Sequence, residues 1–346
     1  MPTMSLTDFA VNQANPVQQR AVANSFIEAK SVMTDIPVKT ENTLTAKGTR
    51  HVAVPSVAEW VNLGQALPKV INTPKPWSEK KYLKGFAIPI PRVLAESKEG
   101  GGIGKLLADQ ADPVLKAHSA DVDWRFFNNN QLASGDTQAP KCFNGLRTRL
   151  SAAWRSVYDI PSSCKFDLGG LDLRLSAVTA AGMLSLAATL SRALERMGNE
   201  DGTNTVFYAN EFVWSVLENS YFITTNSLFG NDTDVWGDKI LTFRNAKIRR
   251  CSRLVSTNSA NGDQTYVLPN TESSDGETLT GSNFSSIFGV HYGEKKFTIE
   301  QFKTPDMDDP ILLNDHITYE SSFINAYSIV QESTISVVQL HNFRVV

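Results

Sequence analysis

Cysteine is scarce in this chain of 346 residues. Cys142, Cys164 and Cys251 are odd in number, and no two stand at a CxxC spacing. That excludes a disulfide framework and the usual zinc and redox motifs, so a reducing compartment is the simpler expectation. Charge of one sign is not in excess either: 33 basic and 36 acidic side chains leave a net charge of -3. No global basic field advertises nucleic acid and no acidic surplus suggests disorder, so any DNA contact has to be local. The opening MPTMSLTDFAVNQANP lacks the basic and apolar regions of a secretory leader. Long hydrophobic runs are missing too. The longest uncharged helical stretch, Leu175 to Ser191, is broken by Ser176, Thr179, Ser185, Thr189 and Ser191. A bilayer span wants about 20 mostly apolar residues, so this reads as a buried helix.

Catalytic and metal-binding patterns are equally sparse. His51, His118, His291, His316 and His341 never form HxH or HExxH, and no GxSxG is present. EGGGIGKLL fails as a phosphate loop, because Glu99 stands where its first glycine belongs and Leu106 where a magnesium-binding hydroxyl belongs. NDTDVWGDKILTF starts like a calcium loop with Asp232, Asp234 and Gly237. Trp236 then takes a ligand position and Phe243 the place of the closing glutamate. PDMDDP, with Asp306, Asp308 and Asp309, reads as a solvated turn. Cys251 sits among Arg249, Arg250 and Arg253, which is a basic strand without a general base and not a nucleophile. With Lys247, those arginines are the DNA-facing candidates. No catalytic residue, metal or cofactor is expected.

The length suits about two domains. NPVQQRAVANSFIEAKSVM, Asn15 to Met33, is a capped helix with proline in its first turn. From Pro37 to Pro91 the chain carries seven of its fifteen prolines and no helical period, so it should be extended. Within it, KPWSEKKYLKGFAIPIP puts Tyr82, Lys84, Phe86, Ile88 and Ile90 on one face, while Pro89 and Pro91 confine the strand to a sheet edge or an arm. A second helix runs from its Asp112 cap through Pro113 to about Asn129, with Val114, His118, Val122 and Phe126 along one side. A third covers roughly Ser176 to Met197. Its stripe Met183, Leu186, Leu190, Leu194 and Met197, and a second face of Ala180, Ala181, Leu184 and Ala188, predict burial on two sides, with Gly198 as the C-cap. TVFYA is a strand, Asn210 caps a helix over EFVWSVLENSYF, and the rest is mostly strands. STNSANGDQTYVLPNTESSDGETLTGSNFSS reads as an exposed loop or insertion.

Four passages carry a family resemblance: LTDFAVNQANPVQQRAVANSFIEAKSVMTDIPV, WRFFNNNQLASGD with FNGL, TVFYANEFVWSVL, and ITYESSFINAYSIVQESTISVVQLHNF. They resemble the major capsid proteins of tailed bacteriophages, with the Hong Kong 97-like fold, and look closest to the short-tailed epsilon-fifteen type. The resemblance implies an α+β fold in five parts. These are an N-terminal arm and first helix (1–39), an extended E-loop hairpin (40–95), a P domain with a long spine helix (96–150), an A domain (151–315), and a return into the P domain (316–346).

The implied function is a shell of pentamers and hexamers, icosahedral and enclosing double-stranded DNA, located in the virion and assembled in the host cytoplasm. Implied partners are other copies, a portal, a decoration or cement protein and, since the arm begins almost at Met1, a separate scaffolding protein; no membrane is implied. In that fold the E-loop lies over a neighbour, so Trp77, Tyr82, Lys84, Phe86, Ile88 and Ile90 become expected intersubunit contacts, with Phe9 and Val11 of the arm. The proline-bearing strand is then a clasp that never folds back onto its own subunit. Some relatives crosslink a loop lysine to an asparagine; Lys80, Lys81 and Lys84 lie in the right loop and Asn342 near the end, but read as ordinary solvated residues. The rivals are an encapsulin-type compartment and, further off, a hydrolase or carbohydrate-binding protein using the Asp-rich turns with Trp60, Trp77 or Trp236.

Overall fold

The computed structural model describes residues 32–50, 75–96, 103–130, 142–220, 229–233, 239–251, 254–257, 264–279, 283–303 and 307–345. In chain order the elements are β1 (Val38–Thr40), β2 (Thr45–Arg50), β3 (Lys75–Lys80), β4 (Tyr82–Pro91), α1 (Arg92–Glu96), α2 (Ile103–Asn128), α3 (Leu146–Leu150), β5 (Lys165–Asp172), α4 (Ala180–Arg196), β6 (Thr205–Ala209), α5 (Glu211–Glu218), β7 (Gly230–Thr233), β8 (Lys239–Phe243), β9 (Ala246–Arg250), β10 (Leu254–Thr257), β11 (Gln264–Tyr266), β12 (Phe284–His291), β13 (Phe297–Gln301), β14 (Ile311–Leu312), β15 (Thr318–Gln331) and β16 (Val337–Arg344).

Two sheets organise them. One has seven strands in the order β5-β16-β12-β6-β9-β8-β7. The other has five: β15 lies between β4 on one side and β13 and β14 on the other, with β1 beside β13. The β2–β3 hairpin and the β10–β11 pair stand apart as two-stranded ribbons. The sheets do not follow the five expected segments, since β13 pairs with β15 and β16 lies inside the seven-stranded sheet. Strand pairing depends on partners distant in sequence, which contiguous segments cannot express.

Helix α2 joins the sheets. Neighbouring rings at its C-terminal end divide between them: Phe126 meets Phe297 of β13 at 5.9 Å, while Phe127 meets Tyr208 of β6 at 5.3 Å and Phe288 of β12 at 5.5 Å. All five rings are fully buried, and the two edge-on contacts, to Phe297 and Tyr208, add to what burial alone contributes. The expected stripe is largely inward, with His118, Val122 and Phe126 buried and Val114 half-buried. The helix nevertheless begins well before Pro113, which lies inside it, making it about 39 Å long at about 1.5 Å per residue. Asp112 is therefore no cap; it pairs instead with Lys116 one turn on, at 2.7 Å. Pro113 forfeits one backbone bond, a loss of about 3 kcal/mol. Burial of Ala111 and packing of Leu106 and Leu107 against the core hold the preceding turns in place.

Helix α4 starts where Thr179 accepts from the Gly182 N–H at 3.1 Å and ends at Gly198, whose φ of +65° closes the last turn. Met183, Leu186, Leu190, Leu194 and Met197 are all buried. The second face is not: Ala180, Ala181, Leu184 and Ala188 are exposed, which corrects the expected two-sided burial. The three alanines carry little hydrophobic penalty in water, so their spacing does not demand a cover, whereas Leu184 is a large apolar side chain left 55% exposed. Asn210 caps α5 as expected, accepting from the Val213 N–H at 2.9 Å.

The polar stretch read as an exposed loop is partly nailed to the core. Glu272 is fully buried, receives Arg147 at 2.5 Å and accepts from Ser286, while Arg147 also donates to the Gly276 carbonyl at 2.6 Å. A lone buried glutamate in a Ser- and Gly-rich run carries no local signal of its partner. The helix expected over Asn15 to Met33 lies outside the described residues except at its end, where Val32–Thr34 form a buried 3-10 turn.

Candidate intersubunit surface

The strand expected to lack a partner within its own chain has one. β4 pairs antiparallel with β15 along its whole length, Tyr82 opposite Tyr327 through Pro91 opposite Thr318. This overturns the clasp that never folds back. The edge position does hold, for a visible reason. The Arg92 N–H donates to the Ile317 carbonyl at 2.8 Å, so by strand alternation even-numbered residues turn their N–H groups toward β15. Pro89 and Pro91 thus fall where a donor would face the free edge, and their missing N–H groups cost the pairing nothing.

The face bearing Tyr82, Lys84, Phe86, Ile88 and Ile90 turns inward onto α2. Ile88 and Ile90 are buried within their own subunit, and Tyr82 and Phe86 are half-buried against the same core. Ile88 and Ile90 thus serve the core of their own subunit, while Tyr82 and Phe86 keep part of their surface in solvent. Phe86 stacks on Phe323 at 5.2 Å, and the His118 ring stands edge-on to both at 5.5 and 5.1 Å. Burial, with Lys84 nearby, pushes His118 down to about 3, so the imidazole is neutral. Lys84 pairs with Asp121, which Arg125 also holds at 2.9 Å. Burial lowers the Lys84 ammonium's affinity for its proton, against the pull of Asp121.

Among the described residues, none covers the opposite face of the same strands. Leu83 (70%), Ile324 (49%), Ile311 (66%), Ile317 (66%) and Val93 (79%) are exposed there and at its end. Their placement follows from register: Leu83 lies opposite Ala326, Gly85 opposite Ile324, and Ile311 opposite Glu320. Gly85 permits this approach, since a Cβ there would stand 2.5 Å from the Phe323 carbonyl oxygen. Asp315 shapes the turn before β15 by accepting from the N–H groups of Ile317 and Thr318, both at 3.0 Å. The Ile317 N–H, with Thr318, holds its carboxyl below the usual range. Sequence reading missed these apolar residues, although Leu83 and Ile324 do stand out of phase with the inward alternation.

Among the described residues, one side of the β2–β3 hairpin is tied to the rest of the chain. Arg149, fully buried, grips Glu79 with two bonds of 2.9 and 2.5 Å and lies over the Tyr158 ring at 4.3 Å. Arg50 donates to the Tyr158 and Gln331 carbonyls at 2.7 and 3.0 Å, and Lys75 meets Asp159 at 2.6 Å. Trp77 is half-buried over Gly48, where a Cβ would stand 2.7 Å from the indole. Of the lysines read as solvated, Lys81 is buried beside Glu300 at 3.3 Å and Lys84 is held by Asp121; Lys80 is exposed. Asn342 donates to Asp167 at 2.7 Å. Phe9 and Val11 lie outside the described residues.

The DNA-facing candidates do not form one basic surface. Lys247 is exposed, but Arg249 turns to the buried Asp35 at 2.7 Å, and Arg250, on the alternate face of β9, stands near Glu211 at 3.5 Å. Arg253 lies outside the described residues, as do Trp60 and Trp236. Among the described residues no group of three metal-ligating side chains converges.

Residues 171–261 match the family described as Major capsid protein GP7. No curated protein matches the chain. Three solved structures are similar along nearly its full length. The holo-SrpI encapsulin of Synechococcus elongatus PCC 7942 has a TM-score of 0.54 at 8% identity, covering 100% of this chain and 97% of that one. The capsid of an empty GTA particle has a TM-score of 0.54 at 14% identity, covering 91% and 90%. The capsid of Myoviridae phage XM1 has a TM-score of 0.50 at 7% identity, covering 88% and 89%. At such identities the likeness establishes the fold alone, the α+β Hong Kong 97-like architecture. It does not extend to the finer resemblance to the epsilon-fifteen type.

Proposed function

We infer that this chain is a major capsid protein, a structural subunit that associates with copies of itself into a shell. The observation that carries this is the family match over residues 171–261, on a fold shared along the chain with capsid subunits. An exposed apolar sheet face supports it, because a surface of that kind on a folded chain marks a place where another molecule sits. Many weak identical contacts suffice once each subunit meets several neighbours. Such a subunit holds its neighbours and needs no catalytic step.

The finer reading is a closed icosahedral shell of pentamers and hexamers around double-stranded DNA, in the virion, assembled in the host cytoplasm with scaffolding, portal and decoration proteins. A net charge of -3 suits enclosure of DNA without tight attachment. Arm 1–39 and hairpin 40–95 are proposed to reach neighbouring subunits, with Trp77 and the arm residues Phe9 and Val11 the contacts kept from the sequence reading. Lys247 and Arg250 are the remaining candidates to face DNA. Sedimentation with negative-stain microscopy of the purified protein tests this, with and without a scaffold. Closed particles in the megadalton range are expected, and a stable monomer with turnover overturns it. The encapsulin likeness keeps a second reading in view, and particle contents decide it: packaged nucleic acid for a capsid, a protein cargo for an encapsulin.

A further inference from the structure

We propose that residues 32–40 are a strap that clamps the two sheets against α2, and that the carboxyl of Asp35, seated opposite Arg249, is the catch that tightens or releases it. The inference concerns the fold of a single subunit, so it stands or falls independently of the shell reading.

The strap touches each body that it joins. At its start the Val32 N–H donates to the Asp123 carboxylate of α2 at 3.1 Å. Asp35 then stands 2.7 Å from Arg249 of β9 and accepts from the Tyr208 hydroxyl of β6 at 3.3 Å, both in the seven-stranded sheet. At its end β1 lies parallel to β13 of the five-stranded sheet, Val38 opposite Ile299, and the Pro37 carbonyl accepts from the Ile299 N–H at 3.2 Å. Val32, Met33, Ile36 and Val38 are buried along the way. The grip of β1 itself is short, three residues in parallel pairing at a sheet edge. How firmly the strap holds therefore depends on how well its middle, around Asp35, is seated.

That seat contains a conflict. The Asp35 side chain is 4% exposed, while Arg249 keeps 19% of its own in solvent. Taking a carboxylate out of water is costly, and one partly solvated cation offsets that only in part. Burial accordingly pushes the Asp35 carboxyl above its usual value, against the pull of Arg249, Lys247 and the Tyr208 hydroxyl. The other groups around it bring no positive charge. Burial pushes the Tyr208 and Tyr292 hydroxyls, 2.7 Å apart, and the Cys251 thiol far up, so all three stay neutral, and Asp123 is a further carboxyl. Toward the far end of the strap, Lys39 pairs with Glu41 and stands 3.9 Å from Glu300 of β13, which burial also pushes up and which lies 3.3 Å from Lys81. When the strap lifts, Asp35 returns to water and to its ordinary value. Between that value and the raised one, the seated strap holds a proton that the lifted strap does not, so seating weakens as pH rises through the window and levels off above it. The catch is tight in acid and slack in base. The chain before Val32 continues directly from the strap, so the state of the catch sets where that part of the chain leaves the subunit.

The test is hydrogen exchange of the full chain, read by mass spectrometry on a peptide over 32–41 as a ratio to one from α4. The ratio removes changes in overall stability, including those from His118. After correction for intrinsic rates, the strap's relative protection in the unaltered protein is expected to fall by up to about tenfold per pH unit as pH rises from about 4 through the window. Asp35→Asn is expected to remove most of that slope, leaving the share of Glu300, and to protect the strap more than the unaltered protein does at about pH 8. Arg249→Gln leaves the carboxylate without its cation, so it is expected to loosen the strap about tenfold or more at about pH 8 and less than about twofold at about pH 4. Relative protection that does not change with pH, an Asp35→Asn variant that keeps the full slope, or one less protected than the unaltered protein at every pH each overturns the proposal. Arg249→Gln that loosens the strap equally at both ends of the range does so too. If Arg249→Gln does not fold, the unaltered protein and Asp35→Asn decide between the outcomes, and assembly is read separately by sedimentation.

Discussion

Phe323 and Ile324 are neighbours on one strand, yet they answer to different demands. Phe323 is fully buried between Phe86 and His118 on the inner face of the β4–β15 pair, whereas Ile324 lies over Gly85 on the outer face and is about half exposed. One pair of strands thus serves folding on one side and presents an exposed apolar surface on the other. A strand alternates its side chains with a period of two, so consecutive residues can be selected by two environments independently. The inner face belongs to the stability of the subunit and the outer face to whatever covers it.

That contrast can be broken from the inside first. Phe323→Ala should destabilise the subunit by about 3 to 5 kcal/mol, the usual cost of emptying an aromatic site in a core, read by denaturant unfolding. Glu79→Gln should follow at about 3 kcal/mol, because it leaves Arg149 buried without its carboxylate. The same experiment checks it, and an unchanged midpoint would mean that the hairpin base is held by other contacts.

His118 sharpens the contrast through pH. Its folded-state value is held to about 3 against 6.5 when unfolded. Between those values the unfolded chain binds a proton that the folded chain refuses, so stability falls as pH drops through the window and is untouched above it. His118→Gln should flatten that slope by up to about 1.4 kcal/mol per pH unit. His291 and His341, also pushed down by burial, retain part of it, and Lys84 and Asp121 remain as the charged groups beside the site. Smallest in stability, Ile324→Ser should change unfolding by less than about 0.5 kcal/mol while reducing the particle fraction. A large loss of subunit stability from that exposed position would erase the distinction between the two faces.

Much of the architecture was legible because its signals are local. The α4 stripe, Gly198 past its end, Asn210 before α5, the TVFYA strand and the edge character imposed by Pro89 and Pro91 each depend on residues within a few positions of one another. The start of α2 was not, because Pro113 is a local helix opener whose preceding turns are kept by distant core packing. The exposed Ala180, Ala181, Leu184 and Ala188 face of α4 was misread for the related reason that apolar spacing reveals a face without revealing what covers it. Of the surface candidates, Ile88 and Ile90 belong to the inner side of their own subunit, and the exposed Leu83 and Ile324 were passed over.

By itself the sequence determined periodicity, caps, the edge position of β4 and a resemblance specific enough to name a fold, since these follow from dihedral preference and side-chain order along a few residues. Only the tertiary structure decided that β4 pairs with β15, that Glu79 answers Arg149 and Glu272 answers Arg147, and that one face of the sheet stays exposed. Those outcomes depend on which distant segments meet, and burial becomes a property of a residue only when its neighbours in space are known.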